Sequence, residues 1–200
     1  MHNSARMKKP RSRPSKPGRP REAPAKASRA AWLAAGRALA HAKGADAVTL
    51  AALRRRTRGG DASFRRHFGS LADFQAALMA QGLDEVRQQV FEAMAPAPAG
   101  PERLALALRT WLDAHRARPW VRALTVRLWG NARAFELVRQ RINGFVMILQ
   151  LELEAVDWPR ATTSARLCAA AMFDISLAEF EAGRALPDLR DTMLAYVRRR

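Results

Sequence analysis

From residue 28 onward, apolar side chains recur every three or four positions, the period of a helix that buries one face. Trp32, Ala35, Leu39 and Ala40 make the first such stripe; Ser28 is placed to cap its start and Gly44 to end it. Thr49 caps a second, shorter helix whose inward residues are Leu50 and Leu53. Arg58-Gly59-Gly60-Asp61 then supplies a turn, with Gly60 or Asp61 as cap for a third helix over 62–67 that carries Phe64 and Phe68 on its inner face. Ser70, with Asp73 three residues on, matches a capping box. It opens a long fourth helix over 71–94, with Phe74, Leu78, Leu83, Val86, Val90 and Phe91 along one side. The Pro-rich stretch 95–101 ends that helix, because proline lacks the N–H and clashes with the preceding turn. Further helices are predicted at 102–117, 119–129, 132–156, 163–183 and 188–199. No period-two alternation runs long enough for a strand, and no internal repeat is present. The pattern predicts an all-α chain of about nine helices.

Composition adds a partner class. Residues 1–75 hold 18 Lys and Arg against 4 Asp and Glu, whereas 76–200 hold 17 against 14. A positive field concentrated at one end suits a polyanion-binding module joined to a near-neutral domain, and nucleic acid is the leading polyanion. Residues 1–27, rich in Pro, Ser, Lys and Arg, have too little apolar surface to offset the entropy of ordering and are predicted to be a disordered basic tail. Within it, Lys16-Pro17-Gly18-Arg19-Pro20-Arg21 has the composition of a minor-groove arm, and a phosphate-contacting basic arm is the plainer reading. Met7 is a second candidate for the native start. The single cysteine, Cys168, sits in an apolar run and reads as a buried thiol. With no uninterrupted apolar window of spanning length, and with Arg37 and His41 breaking the Ala-rich stretch 30–42, neither a membrane span nor a secretory segment is expected. A reducing cytoplasm is the expected location.

Two short helices joined by a tight turn form a helix-turn-helix, in which the second helix enters the major groove. Thr49 to Phe68 has this layout, and the run Leu53 to Phe68, closing on His67-Phe68-Gly69-Ser70, resembles the DNA-binding motif of the TetR/AcrR family of transcriptional regulators without a gap. The resemblance covers roughly 28–78 in sequence and the remainder in architecture only. Three positions depart from the family pattern: Arg58 stands where glycine is usual, Arg65 where tyrosine is common, and Leu71 where a lysine usually begins the fourth helix.

The resemblance implies three parts: the tail 1–27, an N-terminal three-helix helix-turn-helix DNA-binding domain at 28–75, and a helical effector and dimerisation domain at 76–200. It implies DNA contacts from Thr49, Asp61, Ser63, Arg65, Arg66 and His67. Thr49 would bond a phosphate as well as cap its helix, and Arg65 would replace a tyrosine phosphate contact with a charged one. Arg66 is the favoured base reader, since guanidinium can bond guanine bidentately, whereas Asp61 is better placed to cap than to face phosphate unless it accepts from cytosine. His67 would approach the backbone. In the second domain, Trp111, Trp129, Phe145, Met147 and Phe173 are the expected lining of a pocket for a small, mainly apolar effector; aromatic and methionine residues at this spacing also serve as ordinary core. The last two helices, with Leu167, Met172, Leu177, Phe180, Leu194 and Val197, would build a homodimer.

The expected function is a sequence-specific regulator of transcription on double-stranded DNA, a repressor released by a small effector. Two other readings share the sequence: an architectural DNA-binding protein without ligand control, and a basic protein that docks an acidic partner or membrane. A compact ligand-binding helical protein without DNA activity is a further one. No cofactor, metal ligand cluster or catalytic constellation is predicted; the four histidines, His2, His41, His67 and His115, are far apart in sequence, and no Gly-rich phosphate loop or nucleophile elbow occurs.

Overall fold

A computed structural model describes residues 27–198. Among these residues nine α-helices follow one another: α1 (Arg29–Lys43), α2 (Leu50–Thr57), α3 (Asp61–Phe68), α4 (Leu71–Met94), α5 (Pro101–Arg116), α6 (Pro119–Arg127), α7 (Ala132–Glu154), α8 (Ala161–Ala182) and α9 (Pro187–Arg198). A 3₁₀ turn, Ala45–Ala47, links α1 to α2. The all-α expectation holds. The helix-forming signals act where they were read: the Ser28 side chain accepts from the Ala31 N–H, Thr49 from Ala52, and Ser70 from Asp73. Gly44, at φ 78°, closes α1 in a conformation that favours glycine.

The expected tail falls outside the described residues, except for its last member. Ala27 is buried, and its carbonyl accepts a 3.1 Å hydrogen bond from the Ser63 hydroxyl, so this residue, read as the end of the tail, packs with the folded helices. The basic motif 16–21 also lies outside the described residues, as does Arg199 at the end of the last predicted helix.

Two main cores form. The first is centred on an aromatic cluster from α1, α3 and α4. Trp32 meets Phe64 edge-on at 5.2 Å, and Phe68 meets Phe74 the same way at 4.9 Å. This core does not stop at residue 75, because Trp120, Val121, Leu124, Leu128 and Ala134 from α6 and α7 complete it. The second gathers α5, α7, α8 and α9 around Leu108, Leu112, Leu153 and Met172. A smaller cluster of Val90, Met94 and Ala107 joins α4 to α5. The 24 residues of α4 therefore carry Phe74 in the first core and Val90 near the second. The expected boundary at 75/76 falls inside this helix.

Candidate nucleic-acid interface and effector cavity

The helix-turn-helix is built from α2, α3 and the three residues between them. Arg58 closes α2 in the left-handed region, at φ 55° and ψ 18°. A glycine would adopt this conformation without strain, whereas an arginine pays a steric cost at its Cβ. The neighbouring Gly59 answers a different demand. A Cβ there would lie 2.3 Å from the fully buried Trp32 ring, so this glycine admits close packing of the turn against α1.

Gly60, not Asp61, is the N-cap of α3, and no side chain caps this helix. Asp61 is the first helical residue. Its carboxylate pairs with Arg54 at 3.2 Å, bracing the start of α3 against α2. Of the two caps the sequence allowed, Gly60 holds the position, and the helix starts at Asp61, one residue earlier than expected.

Phe64 and Phe68 point inward, as read from the spacing, leaving Asp61, Ala62, Arg65 and Arg66 exposed along the opposite side. Arg54, Arg55 and Arg56 are exposed on α2. Of these five arginines only Arg54 has a carboxylate partner among the described residues, so the face carries a surplus of free cation. Thr49 is exposed at the start of α2. Ser63 and His67 are placed differently. Ser63 is half-buried with its hydroxyl committed to Ala27, and His67 is half-buried edge-on to Phe68 at 6.1 Å. Both are partly buried, whereas Arg65 and Arg66 are exposed.

A cavity of about 400 Å³ lies between α4, α5, α6, α7 and α8. Trp111, Phe145 and Phe173 line it, and Trp111 stacks on Phe145 with centroids 5.6 Å apart. Two other expected lining residues sit elsewhere. Trp129 borders a separate, smaller cleft with Phe135, and Met147 is 66% exposed and outside the lining. Met147 is two residues from Phe145, and a two-residue step turns a helical side chain to the other side of α7. Leu167 is exposed, whereas Met172, Leu194 and Val197 are spent in the second core; these three are withdrawn from the expected dimer surface.

The cavity also holds polar groups that apolar periodicity did not single out. His115 is buried among its walls, and neither ring nitrogen has a hydrogen-bond partner. Burial, reinforced by the positive charges of Arg122 and Arg118, holds its pKa well below the ordinary histidine value. Arg122 on α6 is 2% exposed, and burial brings its guanidinium down to about 10. Its Nη2 donates to the Ser176 hydroxyl at 2.6 Å, and its charge lies 4.3 Å from the Phe173 ring centroid. The sequence signal was present but faint: Arg122 is the one charged residue in the run Trp120 to Val126. Cys168 is buried in the second core, and burial pushes its thiol up to about 11, consistent with an inert packing role. Among the described residues, no group of three or more His, Cys, Asp or Glu side chains could hold a metal ion, and no helix is long and apolar enough to cross a membrane.

No family model matches the chain, and a search of curated proteins returns no match. Solved structures do match. The fold is similar to that of a transcriptional regulator from Rhodococcus sp. Rha1, with a TM-score of 0.69 and 17% identity, covering 85% of this chain and 94% of that one. It is similar to the reduced form of E. coli NemR, at a TM-score of 0.63, 16% identity and coverage of 84% and 94%. A bacterial regulatory protein of the tetR family from Rhodococcus RHA1 aligns with a TM-score of 0.57, 18% identity and coverage of 84% and 92%. At these identities the likeness is one of fold, and it extends over nearly the whole length of each regulator.

Proposed function

We propose that this chain, which has the fold of TetR-family regulators, is a sequence-specific DNA-binding regulator of transcription that works as a homodimer in the cytoplasm. In this reading α3 enters the major groove with Arg66 reading base edges. Arg65 and the α2 arginines neutralise phosphates, and Thr49 contributes a phosphate contact from the start of α2. The observation that carries it is the exposed face of α3, where Arg65 and Arg66 stand without carboxylate partners on the side opposite Phe64 and Phe68. Ser63 and His67 are assigned to supporting that helix rather than to touching bases.

A small molecule in the α4–α8 cavity would release the protein from DNA. Support for this second half comes from connectivity, since α4 and α6 both border the cavity and both pack in the core beneath the helix-turn-helix. Only a ligand that prefers one arrangement of these helices can shift the balance.

DNA selection with the full chain at near-physiological salt tests the reading. A palindromic site should emerge, and Arg66→Ala should change the preference at defined base positions. Retention of DNA with no sequence preference, unaltered by Arg66→Ala, would leave only a phosphate-binding protein and overturn the regulator.

A further inference from the structure

Arg122 is a buried cation with no anion of its own. The other lining arginines each touch a carboxylate: Asp84 is shared by Arg141 at 3.1 Å and Arg87 at 3.6 Å, and the lining carboxylate of Glu152 is held by Arg103 at 2.7 Å. No carboxylate pairs with Arg122 among the described residues. Its partners there are a neutral hydroxyl and the faces of Phe173 and Trp111, while its Nε–H has none. A guanidinium removed from water without a counter-charge is costly, and the cost falls when an anion joins it in the same low-dielectric site. His115, beside Trp111 at 4.2 Å between ring centroids, adds two unpartnered ring nitrogens to the same chamber.

We infer that the cavity takes a small amphiphile with one carboxylate, whose anionic end bonds Arg122 and whose apolar body lies along Trp111, Phe145 and Leu104. This deepens the proposed effector control and rests on it for its regulatory meaning, though the binding itself does not. The apolar walls favour a hydrocarbon or aryl body, and Arg122, the lining arginine without a carboxylate contact, is matched by one carboxylate. Arg122 hydrogen-bonds the ligand's oxygens in its bidentate or side-on mode. His115 is within the walls to accept from, or donate to, a second polar atom of the ligand.

The test compares acids with neutral twins of the same shape. Decanoate against decanamide, and 4-phenylbutanoate against its amide, are titrated into the full chain without DNA and followed by calorimetry and tryptophan fluorescence. Inorganic phosphate serves as a bare-anion control. At least one acid should bind about ten- to a hundredfold more tightly than its amide, the gap expected for a desolvated charge-assisted hydrogen bond. Arg122→Met should close that gap by weakening the acid far more than the amide, whose carbonyl loses only a neutral acceptor's bond. Equal binding of acid and amide to the native protein overturns the inference, and so does failure of both acids to bind or an acid preference that survives Arg122→Met. The native comparison decides the matter even if the variant does not fold. DNA release is measured separately: acids that bind selectively yet leave DNA affinity unchanged sink the effector reading and not the carboxylate site. Amides that bind as well as acids and release DNA do the reverse.

Discussion

Arg127, near the end of α6, donates a 3.3 Å hydrogen bond to the main-chain carbonyl of Ala45, 82 residues earlier, and also pairs with the Asp46 carboxylate. Ala45 and Asp46 form the 3₁₀ turn that leads directly into Thr49 and α2. The same nine-residue helix presents Arg122 to the cavity. One short rigid element thus joins the candidate ligand site to the entrance of the helix-turn-helix. Arg127→Ala should therefore leave ligand affinity unchanged and weaken the ligand's effect on DNA binding by about 1 kcal/mol, or roughly fivefold. Titrating DNA affinity with and without ligand checks this. A variant with full ligand response would remove Arg127 from the link. Because Asp46 is largely exposed, the pair itself adds little to stability.

Adjacent positions in the α2–α3 turn should respond to mutation with opposite signs. Arg58→Gly relieves a left-handed arginine and should stabilise the protein by about 0.5–1 kcal/mol, the steric gain exceeding the extra backbone entropy of glycine. Gly59→Ala forces a methyl into the Trp32 ring and should cost about 1–3 kcal/mol. Urea unfolding of the two variants against the native chain measures both. Equal destabilisation by each would show that the turn tolerates neither change and that Arg58 is not strained.

His115 makes stability depend on pH in a defined window. Its folded pKa is depressed, first by burial and then by Arg122 and Arg118. Below the ordinary histidine value of about 6.5 the unfolded chain takes up a proton that the folded chain refuses, so stability falls as pH falls. The loss should be on the order of 1 kcal/mol between pH 7 and pH 5.5, and His115→Leu should flatten it. Thermal unfolding across that range, native against variant, is the measurement; parallel curves would mean that His115 is not the responsible group.

The elements were legible in the sequence because their signals are local. Caps at Ser28, Thr49 and Ser70, the glycine at 44 and the 3.6-residue period each depend on neighbours within one turn. What was not legible depends on tertiary phase. Phe145 and Met147 look alike in composition, yet only Phe145 faces the cavity, a difference set by how α7 packs on α8. Met172 read as a dimer residue because an apolar helix face does not say whether its partner belongs to the same chain. Arg122 and His115 were passed over as site residues because their significance lies in burial without an anion, which no spacing encodes. Ser63, by spacing alone, seemed able to face outward; its hydroxyl instead finds a carbonyl from a segment read as tail.

Oligomeric state supplies the last prediction. Met147 and Leu151, one turn apart on α7, and Leu167 on α8 are each more than 60% exposed, an unusual expenditure of large apolar groups on water. On α9, by contrast, Met193, Leu194 and Val197 are consumed by the second core, leaving only Leu189 and Tyr196 moderately exposed. On these exposures we propose that the homodimer surface lies on α7 and α8, where the sequence reading gave α8 and α9. Leu151→Glu with Leu167→Glu should leave the monomer's fold stability within about 0.5 kcal/mol, since neither side chain is in a core. The pair should nevertheless convert a dimer to monomers in sedimentation, because a carboxylate desolvated at an apolar interface lacks a partner. Leu189→Glu should have no such effect. If Leu189→Glu alone dissociates the dimer and the α7–α8 pair does not, the interface lies on α9, and the exposed α7 residues must be explained in another way.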